Sequence, residues 1–457
     1  MNHWIERVIA AVADLGANTG HGGELTLRRL VLQLALILVA SGIGARFARH
    51  VLRQPPVVGQ ILAGIALGPS LLGAWMPKLH AWLLPADSTA LLASLAELGL
   101  VLLVFQVGLE TDFRKHLQGS GVRAVVLIGL AAFGLPLVVG FFTAPLLVPY
   151  IPVAVPDVLG FRLIFACALA ITAVPVLARI FAELQIGSSR AAALSIGAAA
   201  LNDVLGWVVL GGIAAYAHGS WNTFSILTQL GAIVVGLLLV FVLVGPLLGR
   251  LVDADLGANA GRLTSRSITW ILFVVCIASL VSSTIGVFAL IGGLVIGIAL
   301  HEKRALAAEW ERSVAPLVNA LFVPLFFTLT GLRTNLGELH GGKSWLVCLA
   351  VLLLSMSTKL LSGYAAARAC GEEKRVSFAI GVAMNTRGLM ELVALNVGLE
   401  LGVLPRPMFS ILVLSALAST YVAAPLLRRT LQLETQKSVA AAAAALATVS
   451  IAPPSMP

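Results

Sequence analysis

Apolar runs of about twenty residues follow one another from residue 29 to residue 427, separated by short polar turns. A helix of that length crosses roughly the 30 Å of a hydrocarbon layer. Within lipid the backbone must satisfy its own hydrogen bonds, so such a chain is restricted to a bundle of transmembrane helices. The runs fall at 29 to 46, 56 to 73, 90 to 109, 122 to 148, 162 to 181, 190 to 216, 223 to 249, 267 to 284, 285 to 300, 313 to 332, 344 to 367, 376 to 399 and 407 to 427. They read as thirteen spans of an all-α polytopic membrane protein, with Ser283-Thr284-Ile285-Gly286 open to a re-entrant reading. Charged residues make up only 11% of the chain, against about a quarter in soluble domains.

The net charge of +9 does not point to nucleic acid, because the basic residues flank the apolar spans. With the N-terminus outside, inner segments hold 20 Lys and Arg, outer segments 8, and Lys359 and Arg387 lie within spans. That asymmetry predicts a multi-pass protein of the cytoplasmic or inner membrane, N-terminus out and C-terminus in. Residues 1–28 lack signal-peptide features and read as a retained segment, partly amphipathic. Residues 29–430 form the membrane domain, and 431–457 form a short Ala-rich cytoplasmic tail, too small for a regulatory domain. The four cysteines are far apart, so no disulfide framework or metal site is expected. All eight histidines lie outside the spans, which leaves carboxylates to carry any proton through the membrane.

An internal repeat is visible. LVFQVGLETDF from Leu103 recurs as LFFTLTGLRTNL from Leu325, at an offset of 223 between Gly108 and Gly331. The segment around Gly64 resembles that around Gly293, an offset of 229, and Thr172 has a counterpart 214 residues on at Thr386. Seven spans separate each pair, so the copies run in opposite directions across the membrane, as in many secondary transporters.

The chemistry concentrates between Phe165 and Gly212. Asn202 and Asp203 interrupt a run of Ala, Leu, Val and Gly, and Asp203 lies about 20 Å along a helix from Arg190. Acids at that depth mark ion or proton paths or pair with a structural partner. In the preceding span, Thr172-Ala173-Val174-Pro175 places a proline at mid-span, predicting a freed Ile171 carbonyl that, with the Thr hydroxyl, could ligate a desolvated cation; a kink patched by a neighbouring helix is the alternative. Lys359 either faces the core as partner of a carboxylate or snorkels toward Arg368. Arg387 and Glu391, four apart, pair with each other, or Glu391 is a second cation-site acid. Gly388 makes a break near Thr386 plausible, and Glu97, one turn inside an outer boundary, reads as a cavity-rim or packing residue.

TAVPVLARIFAEL, LNDVLGW, LVFQVGLETDF, VPLFFTLTGLRTNL and MNTRGLMELVALNVGLELGVL together resemble the second family of monovalent cation:proton antiporters, in particular its plant cation/H+ exchangers and microbial K+/H+ antiporters. The resemblance implies the inverted-repeat antiporter fold with two crossing broken helices, and a homodimer. It implies that Asp203 carries the cation and the proton, with Asn202 beside it, and that Thr172 and Thr386 mark the breaks. Lys359 matches a basic residue near the carboxylate in some members. Spans four to six and eleven to thirteen would form the moving core. The expected function is exchange of K+ or Na+ for H+ by alternating access, without ATP or an organic cofactor. Asn202 stands where electrogenic relatives have a second Asp, which favours electroneutral exchange. A channel or uniporter, or an ion-sensing receptor on the same fold, are the rivals. An enzyme is disfavoured, because the spans hold no nucleophile with a base and no metal cluster.

Overall fold

The computed structural model describes residues 22–52, 54–110, 121–183, 189–217, 223–259, 261–285, 289–339 and 341–449. Among them the protein is helical throughout, with only turns, bends and short 3₁₀ segments between helices. The expected amphipathic segment before residue 22, Arg114, Lys115 and the end of the tail lie outside the described residues.

The chain begins with α1 (Gly22–Phe47), α2 (Pro56–Leu67), α3 (Ala86–Glu110) and α4 (Val122–Leu147). A pair of half-length helices follows, α5 (Val158–Ala170) and α6 (Val174–Glu183). Next come α7 (Arg190–Ala217), α8 (Thr223–Leu239, running on through a π-turn to Ala258), α9 (Ser265–Thr284) and α10 (Ala289–Leu300). After the short α11 (Arg304–Ser313), the chain enters α12 (Val323–Arg333) and α13 (Gly341–Ala369). A second pair of half-helices, α14 (Lys374–Ala383) and α15 (Leu389–Glu400), leads to α16 (Arg406–Val449). α16 continues unbroken past the expected start of the tail at residue 431.

Among the described residues, ten helices are long and apolar enough to cross a membrane. The remaining three expected spans correspond to the two interrupted helices and to α10, so length and composition alone do not reach the count of thirteen. α9 and α10 pack on one another as separate helices, and residues 286–288 between them lie outside the described residues.

Packing divides the helices into two groups. α4 packs on α5, α7 and α13, and α16 on α13 and α14; in the other group α2 packs on α1 and α12, and α10 on α3 and α9. The repeat is written into two backbone contacts of the second group. A Cβ on Gly331 would lie 2.2 Å from Ile61 O and 2.8 Å from Gly64 Cα, and one on Gly108 would lie 2.7 Å from Leu294 O and 3.1 Å from Gly297 Cα. Each contact joins one copy of the repeat to the other, and only glycine permits it. The contacts equate Gly64 with Gly297 rather than with Gly293, one turn further than the sequence alignment places it.

Candidate functional site

The two interruptions cross each other. α5 starts at an N-cap, Asp157, whose Oδ1 accepts from Gly160 N at 2.8 Å and from Tyr216 OH at 2.9 Å, tying this end of the helix to α7. Its other end comes at Ala170, after which Ile171 is extended (φ −72°, ψ 146°). The expectation that Pro175 frees the Ile171 carbonyl within a helix is therefore corrected. Pro175 is the second residue of α6, where an N–H has no intrahelical partner in any case, and the carbonyls left open belong to the last turn of α5.

Two buried cations cover those carbonyls. Lys359, fully buried on α13, donates from Nζ to Ala170 O and, at 2.6 Å, to Thr172 Oγ1. The snorkelling alternative is thus excluded. Arg387 donates to Ala168 O at 2.7 Å, to Leu169 O at 3.2 Å and to Ser355 Oγ, and it pairs with Glu391 at 2.5 Å. The C-terminal end of a helix carries partial negative charge and unsatisfied carbonyls, so positive donors are suited to this position.

The second interruption is closed by hydroxyls and backbone. Thr172 Oγ1 donates to Met384 O at 3.0 Å, and Ala173 N donates to Thr386 O at 3.0 Å, joining one break to the other. Thr420 Oγ1 accepts from Arg387 N and donates to Arg387 O, both at 2.9 Å. Gly388 is extended, so it is required by space rather than by backbone angle: a Cβ there would meet Val176 Cγ2 at 2.7 Å. Arg387 lies in the break and Glu391 in the first turn of α15, so the expected pair forms without an unbroken helix between them.

α7 brings Asn202 and Asp203 to this crossing. The Asn202 side chain is buried between Thr172 Oγ1, 3.3 Å away, and two carbonyls. Turned with its nitrogen to the carbonyls, it donates to Gly129 O at 2.8 Å and to Ala198 O at 3.3 Å. One turn beyond Asp203, a Cβ on Gly206 would lie 3.2 Å from Ile171 Cγ1 and 3.3 Å from Met390 Cε, which places this face of α7 against both breaks. Asp203 is partly exposed, and its Oδ1 is buried without a hydrogen-bond partner. It interacts electrostatically with Lys359, yet no ion pair within 4.0 Å joins it to any described residue.

Thr172, Asn202, Asp203, Lys359, Thr386, Arg387 and Glu391 therefore come together, although they are spread over more than two hundred positions of sequence. Sequence reasoning missed Ser355 and Thr420. Ser355 lies four residues before Lys359, on the same face of α13, a spacing that could have revealed it; Thr420 carries no comparable signal. A cavity of about 410 Å³ lies elsewhere, against the C-terminal half of α15, and Glu97 lines it.

This geometry can be set beside known proteins. The sodium/hydrogen exchanger transmembrane family matches residues 35–433. The Na+/H+ antiporter NhaS4 of Synechocystis is 35% identical over 413 residues, 87% of this chain and 96% of that protein. Cation/H+ antiporter 17 of Arabidopsis thaliana is also 35% identical, over 88% of this chain, which spans about half of the plant protein's length (48%). The sodium proton antiporter MjNhaP1 of Methanocaldococcus jannaschii at pH 8 shares the fold at a TM-score of 0.63 and 17% identity, with 88% of this chain and 97% of that one covered. With a matched family region that takes in both broken helices and all the residues gathered at their crossing, the chain belongs to the sodium/hydrogen exchanger family.

Proposed function

We propose that the protein is a secondary antiporter that exchanges a monovalent cation, Na+ or K+, for a proton by alternating access, with Asp203 as the site that holds either ion. The observation that carries this reading is the state of the charges at the crossing. Arg387 and Glu391 pair with each other through one carboxylate oxygen, and Lys359 is bonded to Ala170 O and Thr172 Oγ1, whereas Asp203, with a buried oxygen that has no partner, makes no ion pair with any described residue. An unpaired carboxylate oxygen away from water is costly, and a proton or a desolvated cation is what satisfies it. One site that holds one ion at a time couples the two flows.

Asn202 and Thr172 are the proposed neutral neighbours of the bound ion. Lys359, Thr386, Arg387 and Glu391 hold the crossing in shape. Glu391, fully buried and paired, is not read as a second ion carrier. Exchange is then electroneutral: Asn202 has no proton to give, and Lys359 is engaged by two acceptors at the end of α5 and in the first break rather than by the transported ion. The group of α4 to α7 with α13 to α16 is the proposed moving core within a membrane domain spanning 29–430. A homodimer, N-terminus outside and C-terminus inside in the cytoplasmic membrane, completes the reading, with neither ATP nor chemical catalysis. The relatives' names, Na+/H+ and cation/H+ antiporter, agree with this class rather than with a channel or receptor.

The test is a cation jump on proteoliposomes of the full chain, with Na+, K+, Li+ and Rb+ compared and internal pH followed by dye. The expected result is proton flux opposite to the cation gradient, with no sustained current on a solid-supported membrane. Cation flux that ignores the proton gradient would indicate a uniporter; binding without flux would indicate a receptor.

A further inference from the structure

α15 packs on α5, α7 and α16 of the first group of helices, yet its C-terminal half is bonded to α12 of the second. Arg333, in the last turn of α12, donates from Nη1 to Glu400 Oε1 at 2.8 Å and to Asn396 Oδ1 at 2.7 Å. Asn396 returns a bond from Nδ2 to Thr330 Oγ1 at 3.0 Å, and the Thr330 hydroxyl is kept as an acceptor by its own bond to Phe326 O at 2.9 Å. Helix periodicity matches the two sides, because residues three and four apart share a face: Thr330 with Arg333 on α12, Asn396 with Glu400 on α15. Beside them Asn335 N, just past α12, donates to Ser410 Oγ on α16 at 3.0 Å.

Glu400 is the last residue of α15, where the helix dipole disfavours an acid, and α15 has no basic residue in that turn. Its counter-charge comes from α12. Asn396, 7% exposed, uses both its oxygen and its nitrogen across the same gap, which fixes the register of the join. Around these bonds the two groups are not packed together. The cavity of about 410 Å³ lies between them, with Leu290 and Phe326 on one wall and Val393 and Val397 on the other, and all four bridging residues line it. Val393 is one turn from Leu389 at the second break. About 16 Å further along α16, Gln54 Nε2 also joins the groups by donating to Tyr421 O, but that bond is neutral and 3.4 Å long. Charged hydrogen bonds are about twice as strong as neutral ones, so the fastening at the Glu400 end is the firmer of the two.

We propose that this bridge is a latch between the moving core and the second group: it closes the Glu400 end, parts once in every cycle, and makes Arg333 a positioning residue that sets the balance between the two access states of Asp203. Hydrogen bonds of this kind are lost when donor and acceptor separate beyond about 3.5 Å, so a shift of the core by a few ångströms opens all of them together. The effect on transport rests on the antiport reading, whereas the latch itself can be read without transport.

The first test uses purified full-length protein with its four native cysteines replaced by alanine and Val393→Cys added, since Val393 lines the cavity but is only 1% exposed. The rate of labelling by a charged methanethiosulfonate is measured in detergent. Arg333→Gln should raise that rate about tenfold, and the exchanged pair Arg333→Glu with Glu400→Arg should bring it back toward the starting value. In proteoliposomes, Arg333→Gln should lower the apparent KM for cation added on the Glu400 side and raise it for cation added on the other, because apparent affinity follows the fraction of protein in the competent state. The exchanged pair should reverse both shifts, which a simple loss of packing would not do. Labelling unchanged by Arg333→Gln, or not restored by the exchanged pair, overturns the proposal, as does a KM shift of the same sign on both sides. The expected labelling changes in a protein that shows no exchange would sink the antiport reading and leave the latch standing.

Discussion

The two helix breaks are matched in position but built differently. The first, at Ile171–Ala173, contains no charge of its own, and its open carbonyls are covered by cations from other elements, Lys359 on α13 and Arg387 from the second break. The second carries Arg387 itself and is closed by neutral groups, the hydroxyls of Thr172 and Thr420. The difference shows where the crossing is fragile. The C-terminal end of α5 depends on borrowed positive charge, whereas the second break depends on shape and on single neutral bonds. Breaking the former should cost more than breaking the latter.

The largest effect is expected for Arg387→Ala, which uncovers Ala168 O and Leu169 O and leaves Glu391 buried and unpaired. It should lower stability by about 3 to 5 kcal/mol, read as a fall in Tm in detergent. Lys359→Ala removes two charged hydrogen bonds but orphans no ion-paired acid, so about 2 to 3 kcal/mol is expected. A loss equal to that of Arg387→Ala would mean that Lys359 pairs closely with Asp203 after all. At the second break, Gly388→Ala drives a methyl group toward Val176 and should cost on the order of 2 kcal/mol; an unchanged Tm would show that the crossing relaxes easily there. Thr420→Val, which removes both bonds to the Arg387 backbone while keeping the volume, should cost about 1 kcal/mol. If Thr420→Val exceeded Lys359→Ala, the comparison between the breaks would be reversed.

Much of this architecture was legible because periodicity and composition report on single helices. The span positions, the interruption of two helices and the isolation of Asp203 in an apolar run all follow from residues near one another in sequence. The Arg387–Glu391 pair was legible from its spacing of four, although it forms across a break. What could not be read depends on meetings between distant segments: that Arg387 reaches Ala168, that Thr420 bridges the Arg387 backbone, or that Glu97, Arg333 and Glu400 converge on one cavity. Pro175 was misplaced for a local reason. A proline suits the first turn of a new helix as well as it kinks an existing one, and sequence alone does not decide between them. The glycine repeat was misaligned by one turn, since similar small residues recur along α10 and only the contact with Gly108 selects Gly297.

On the proposed reading both breaks present Asp203, whose buried Oδ1 has no partner, as the ion carrier. The direct measurement is cation-driven proton flux in proteoliposomes of Asp203→Asn beside the unmodified protein, with size-exclusion profile and Tm recorded for each. The account predicts a folded, inserted variant with no exchange, and in the unmodified protein an apparent cation affinity that weakens as pH falls, because proton and cation compete for Asp203. Near-normal exchange by Asp203→Asn, or a cation affinity that stays flat across the pH range, would contradict it.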